Sequence, residues 1–286
     1  MATERDVSFY RGKKIALLTQ HGKERVISPV LDPALGCHVE RVMGYDTDLL
    51  GTFTRDIPRA GMQIEAARKK ARIGMDLSGL PFGVASEGAF GPDPFSGMLP
   101  WNLELLIFID DERSIEILGV FQGKANFFHS LVSEWSEAET FARESGFPEN
   151  YLVLRPKGEN DFRFRKGINS WRELEEAFFW ALRQSDGGQV FLETDSRAHA
   201  NPMRMESIRL ASEDLLKKIQ SLCPVCDTPG FWIVERLPGL PCRNCGGSTQ
   251  GIMAEVHGCL KCDHRVTLER SERKYADPAH CDYCNP

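Results

Sequence analysis

The residues with the most restrictive chemistry lie late in the chain. Four cysteine pairs repeat one spacing there: Cys223/Cys226, Cys242/Cys245, Cys259/Cys262 and Cys281/Cys284, written CPVC, CRNC, CLKC and CDYC. A two-residue gap in a tight turn lets both thiolates reach one tetrahedral ion, and two such turns complete an all-sulfur shell. Fifteen residues separate the first two pairs and 18 the last two, and both gaps suit zinc-ribbon turns. The spacing therefore predicts two structural Zn2+ ions, ligated sequentially rather than in crossed pairs. Four sulfurs leave no open position for water, so neither ion is expected to be catalytic. His257, His264 and His280 stand beside the cysteines and are expected to be bystanders. A redox dithiol is disfavoured because no βαβ pattern surrounds the pairs. The ninth cysteine, Cys37, reads as a small buried residue.

Three further clusters combine cations, carboxylates and small residues. In TQHGKER, Thr19, His21, Gly22, Lys23 and Arg25 follow a short apolar run, offering a hydroxyl, a flexible backbone and cations to a phosphate; a solvated turn is the plainer alternative. In PFGVASEGAFGPDP, residues 81–94, the apolar run ends at Glu87 and is followed by Gly88 and Gly91. A carboxylate at a strand end can hold Mg2+ through water or act as a base, with glycines that let a ligand approach the backbone. In ETDSRAHANPMRM, Glu193, Asp195, Arg197, His199, Asn201 and Arg204 are packed together. Arginine pairs planar oxyanions, although Asn201-Pro202 also reads simply as a helix start. The stretch 155–167 adds Arg155, Lys157, Arg163, Arg165 and Lys166, either a basic lip or a solvated loop.

Alternating elements must carry these clusters. KKIALLT and HVERVMG read as strands, with a loop and a short helix between them that Pro29 and Pro33 keep broken. Residues 61–77 are rich in helix formers, with Ile64, Ala67, Ala71 and Met75 on one stripe and Arg68, Lys69, Lys70 and Arg72 on other faces. FGVASE reads as a buried strand ending at Glu87, and residues 103–111 with 114–122 as a hairpin. Helices are predicted near 134–145, 170–184 and 203–220, the second opening with Ser170 and Glu173 in capping-box spacing. NYLVLRP and QVFLETD supply the strands between them. The expected fold is α/β, with a mixed or largely parallel sheet and flanking helices over residues 1–220, plus a small double zinc-ribbon module over 221–286.

Composition narrows the function classes. Of 286 residues, 42% are hydrophobic and 27% charged, and the formal charge is -6, so no general attraction to nucleic acid or anionic membrane is expected. Residues 221–286 hold seven Lys/Arg against eight Asp/Glu, and each all-thiolate zinc would lower the charge by about two more. A protein contact suits that tail better than a phosphate backbone. A basic face built from the 61–72 helix and the 155–166 loop would be the nucleic-acid alternative. No apolar run is long enough to span a membrane and MATERDVSFYRGKK has no secretory pattern; with so many paired cysteines, a reducing cytoplasmic setting is expected.

The run IEAARKKARIGMDLSGLPFGVASEGAF resembles the helix-then-strand block of the inosine triphosphate pyrophosphatase superfamily, with Glu65, Lys70 and Ala71 on the helix and Glu87-Gly88 at the acidic turn. LLTQHGKER resembles that superfamily's opening strand and phosphate-contacting loop, with Thr19 and Lys23 in the matching positions. The likeness covers residues 13–92, and Ala66, Ala85 and Ser86 depart from the pattern. It implies hydrolysis of a nucleoside triphosphate, with Lys23 and Arg197 neutralising phosphate and Glu87 and Glu65 holding Mg2+. Gly22, His21, Lys70, Gly88, His199 and Arg204 would then line the site for a nucleotide or another phosphorylated small molecule. The rival expectation is a non-enzymatic zinc-ribbon protein that binds a nucleotide or a partner. The whole chain, through the terminal CDYCNP, resembles a bacterial family of unknown function with this α/β body and cysteine tail.

Overall fold

The computed structural model describes residues 8–51, 61–270 and 273–286. Its described residues divide into two compact units, 8–216 and 217–286.

The first unit holds two sheets. Strands β1 (Lys14–Leu18), β2 (His38–Val42), β3 (Phe82–Pro92), β4 (Pro100–Asp110) and β5 (Ile115–Lys124) form a sheet in the order β2-β1-β3-β4-β5. The β2-β1-β3 pairs are parallel and the β3-β4-β5 pairs antiparallel, so the sheet is mixed. Helix α1 (Glu24–Leu35) links β1 to β2, and α2 (Gln63–Ser78) precedes β3. Ala67, Ala71 and Met75 of α2 bury against Ala85, Ile107 and Ile109, which alternation places on one face of β3 and β4. Ser86, Gly88, Glu104 and Leu106 therefore belong to the other face.

Two local expectations need correction. Helix α1 is not broken by its prolines. Pro29 and Pro33 are four residues apart and both exposed, while Ile27, Leu31 and Leu35 are buried, so the unmade amide bonds fall on the solvent side, where water satisfies the freed carbonyls. Strand β3 does not end at Glu87. It runs on to Pro92, paired with β4 from Phe82↔Asp110 to Pro92↔Pro100, and this long ladder overrides the weak strand preference of Gly88 and Gly91.

The second sheet, β6-β9-β7-β8, is wholly antiparallel: β6 (His129–Val132), β7 (Leu152–Arg155), β8 (Arg165–Ile168) and β9 (Val190–Thr194). Helices α3 (Trp135–Glu144) and α4 (Trp171–Arg183) cover one face, packing Ala138, Ala142, Leu174, Ala177 and Phe178 against Leu152, Leu154, Val190 and Leu192. Ser170 Oγ accepts from Glu173 N–H at the start of α4. Helix α5 (Pro202–Gln220) then returns to the first sheet, where a Cβ at Gly119 would lie 2.4 Å from Ala211 O. Only glycine permits that approach.

The second unit is a three-stranded antiparallel meander: β10 (Trp232–Pro238), β11 (Ile252–Gly258) and β12 (Arg265–Glu269). Residues 217–220, the last of α5, group with it, and Lys218 O accepts from Gly230 N–H. Among the described residues, no helix is long and apolar enough to cross a membrane.

Candidate functional sites

The meander dictates how the cysteines combine. Cys223 and Cys226 precede β10, Cys242 and Cys245 follow it, Cys259 and Cys262 follow β11, and Cys281 and Cys284 come after β12. Because β10 and β11 are antiparallel, Trp232 pairs with Gly258, which brings the first and third turns to one end. The second and fourth turns belong to the other end. The ligating atoms accordingly cluster as Cys223, Cys226, Cys259 and Cys262, and as Cys242, Cys245, Cys281 and Cys284. The pairs are crossed, correcting the sequential order expected from spacing alone: β10 carries its two flanking turns apart by about 20 Å of strand.

Sulfur separations of 3.7 Å for Cys223–Cys262, 3.5 Å for Cys226–Cys259 and 3.7 Å for Cys245–Cys281 match the roughly 3.8 Å that a tetrahedron with ~2.3 Å Zn–S bonds requires. Backbone amides support the sulfurs: Lys261 and Cys262 N–H donate to Cys259 Sγ, and Asn244 N–H to Cys242 Sγ. Both clusters could hold a zinc ion, with cysteine as every ligand. His257 and His264 instead pack around Phe231.

In the first unit the dispersed clusters converge where β1 ends. Strand β1 pairs with β3 only at Ala16↔Gly83 and Leu17↔Val84, while β3 continues, so a gap opens beside Ser86. The loop 19–23 turns there through Gly22, whose φ of +68° suits glycine, and sends Lys23 into the gap. Lys23 Nζ donates to Ser86 O at 3.0 Å and to Ser86 Oγ at 2.8 Å. Thr19 is buried and its Oγ1 accepts from His21 N–H.

Four cations and three carboxylates surround this point. From α2, Lys70 donates to Glu87 at 2.5 Å. From α5, Arg204 contacts Glu104 of β4 at 3.2 Å, with the two side chains 2% and 0% exposed, and donates to Ser196 O at 2.6 Å. Gly88 makes room for that pair: a Cβ there would lie 2.5 Å from Glu104 and 2.7 Å from Arg204. Arg197 is held by Asp195 through Nε at 3.0 Å. The His21 ring lies 4.9 Å from the ring of His199, and exposure falls from His199 through half-buried His21 to buried Lys23.

The electrostatics are those of a crowded cationic site. Burial, then Arg204 and Lys70, lower the Lys23 pKa to about 7, against the pull of Glu104 and Glu87. Burial, Lys23, His199 and Arg204 depress His21 to about 2, so its ring is neutral at pH 7. Burial opposes ionisation of Glu87, but Lys70 and Lys23 outweigh it and hold its pKa below the ordinary carboxylate value.

The structure thus brings Thr19, His21, Gly22, Lys23, Lys70, Glu87, Gly88, Arg197, His199 and Arg204 together. Glu65 is placed differently, since its carboxylate accepts from Met62 N–H at the first turn of α2. Glu87 is mid-strand and committed to Lys70, not free at a strand end. Each nearby carboxylate has a cationic partner, and among the described residues the two cysteine clusters are the only groups of three or more candidate metal ligands. These carboxylates therefore give the expected Mg2+ site no support.

Ser86 and Glu104 were missed by sequence reasoning. The signal for Glu104 was a single charge inside the apolar run LELLIFI, on the same face as Leu106 and Phe108. The basic lip at 155–167 is not one surface. Arg155 is buried beside Glu193, Arg163 is bonded to Asp161, and 165–168 is strand β8. On α2, Arg68 and Arg72 pair with Glu116 and Asp111, which removes most of the basic face. Cys37 has its thiol pushed up to about 12 by burial and Asp32, an inert state.

No curated protein and no solved structure matches the chain. One family model, Domain of unknown function (DUF6671), matches residues 70–286. That span includes Lys70, Ser86, Glu87, Glu104, Arg204 and all eight paired cysteines, so both candidate sites draw on it. The chain belongs to the DUF6671 family.

Proposed function

We propose that the α/β unit binds a small phosphorylated ligand at the Lys23 site and hydrolyses it, a nucleoside triphosphate being the class implied by the pyrophosphatase-like opening. The supporting observation is the convergence of Lys23, Lys70, Arg197 and Arg204 with His21 and His199 where β1 ends and α1 begins. With Lys23 protonated, four cations against three carboxylates leave an excess positive charge. The α1 N-terminus adds to it, and polyphosphate is attracted there.

Arg204 and Lys23 would neutralise phosphate at depth, and His199 and Arg197 would meet it at the mouth. Neutral His21 would orient a water by hydrogen bonding. Glu87 would hold Lys70 in place rather than bind a metal. Two zinc ions, one in each four-cysteine cluster, would fold the second unit. Exposed Val225, Leu260 and Tyr283 within the CxxC turns favour a protein contact for that unit.

The test is turnover by the purified chain, with and without Mg2+, on standard and deaminated nucleoside triphosphates. Release of phosphate or pyrophosphate is expected, falling about 100-fold or more in Lys23→Met. No release from any substrate, with ligand-dependent melting retained and lost in Lys23→Met, would favour the second reading, a binding protein without catalysis. The commitment of every nearby carboxylate to a cation supports that reading.

A further inference from the structure

Lys23 is an anomaly in this fold. It is 7% exposed, and lysine is almost never buried so deeply without a paired charge. Among the described residues its Nζ makes no ion pair, and both its hydrogen-bond partners are neutral atoms of Ser86. A structural lysine here would be costly, because burial without a counter-ion disfavours the ammonium form. The groups facing it are Arg204 of α5, Glu104 of β4, Lys70 of α2 and Glu87 of β3. Two of those four are cations, each already engaged with one of the two carboxylates.

We propose that Ser86 and Lys23 form a serine–lysine catalytic dyad, in which Ser86 Oγ is the nucleophile and the Lys23 amine its general base. The proposal rests on the phosphate-ligand reading for the group transferred, and on the 2.8 Å Nζ–Oγ contact for the dyad itself. A serine hydroxyl is a weak nucleophile until an adjacent base takes its proton, and a desolvated lysine beside other cations supplies such a base at neutral pH. The lowered Lys23 pKa of about 7 agrees with that role.

The step balances as follows. Neutral Nζ removes the Oγ proton while Oγ attacks phosphorus, the P–O bond to the leaving group breaks, and the Lys23 ammonium returns the proton to the departing oxygen. Water then attacks the phosphoseryl phosphorus, Nζ takes its proton, and Oγ leaves with that proton. Arg204, which meets Glu104 on the Ser86 face of the sheet, would offset the charge that develops.

A substrate-independent probe tests the dyad. The full chain is treated with diisopropyl fluorophosphate and the modified peptide is mapped by mass spectrometry. The expected result is an adduct on Ser86 whose rate of formation rises between about pH 6 and pH 8 as the amine loses its proton. Lys23→Arg, which keeps the charge but cannot supply a free base, should slow labelling about 100-fold or more with an unchanged circular dichroism spectrum. Absence of a Ser86 adduct in the folded wild type, or a flat pH profile, overturns the proposal without any variant. So does a folded Lys23→Arg that labels within a few-fold of wild type. Tripolyphosphate should slow labelling; an adduct that forms with no such protection upholds the dyad and removes the phosphate reading instead.

Discussion

Cys242 and Cys284 meet because a three-strand meander returns the chain to the same end, and the other cysteine of each turn sits three positions away in sequence. Lys23, Ser86, Glu104 and Arg204 meet with no such local pattern: one comes from a loop, two from neighbouring strands and one from a helix near the end of the unit. The cysteine turns carry their chemistry locally and need the fold only to choose partners. The α/β site does not exist until the whole unit has folded, and its carboxylates are tolerated because each is paired with a cation.

That contrast makes metal removal the largest expected effect. Few apolar side chains are buried in the meander, so zinc bound at the two clusters would supply most of its folding energy, on the order of 10 kcal/mol per site. Chelation should unfold β10–β12, seen as loss of amide protection there, while the α/β unit keeps its protection. Crossed pairing has its own signature. Replacing Cys223, Cys226, Cys242 and Cys245 by serine should leave no complete site, whereas replacing Cys223, Cys226, Cys259 and Cys262 should leave one bound zinc by metal analysis.

Arg204→Met attacks the other kind of site. It strands Glu104, which is 0% exposed, and should cost about 3–5 kcal/mol in urea unfolding. Adding Glu104→Gln should recover much of that loss, since the uncompensated charge is gone.

Acid and base should separate Lys23 from its surroundings by a smaller margin. Its folded pKa of about 7 lies below the usual 10.5, so across that window the unfolded chain binds the extra proton. Stability should therefore rise with pH from about 7 to 10.5. Lys23→Met should flatten this rise in urea midpoints measured across the window. His21, lowered to about 2, acts with the same sign at lower pH, so acidification below its ordinary value of 6.5 should destabilise the unit.

The smallest effect is reserved for Glu65. Its carboxylate caps Met62 N–H, so Glu65→Ala should cost about 1 kcal/mol by thermal melting and leave turnover unchanged.

These magnitudes follow what the sequence could and could not disclose. Short apolar runs located β1 and the β4–β5 hairpin closely, and one-sided apolar stripes located α2 and α5. It stopped β3 at Glu87, since the ladder with β4 that carries the strand to Pro92 is a long-range property. It broke α1 at two prolines whose placement on the exposed face becomes visible only in the folded helix. Spacing identified all eight ligands, but strand direction decided their pairing. In the α/β unit, residue type pointed to Lys23, Glu87 and Arg204 as a set. Their committed partners, Ser86, Lys70 and Glu104, come from the register of β3 against β4 and the approach of α2 and α5.

The central claim is that the Lys23 cluster is a cationic site for phosphate, and calorimetric titration of the full chain with tripolyphosphate tests it most directly. Saturable one-to-one binding that weakens at least about tenfold in Lys23→Met and with rising salt is the predicted result. Absence of binding, or equal binding by folded Lys23→Met, would contradict it.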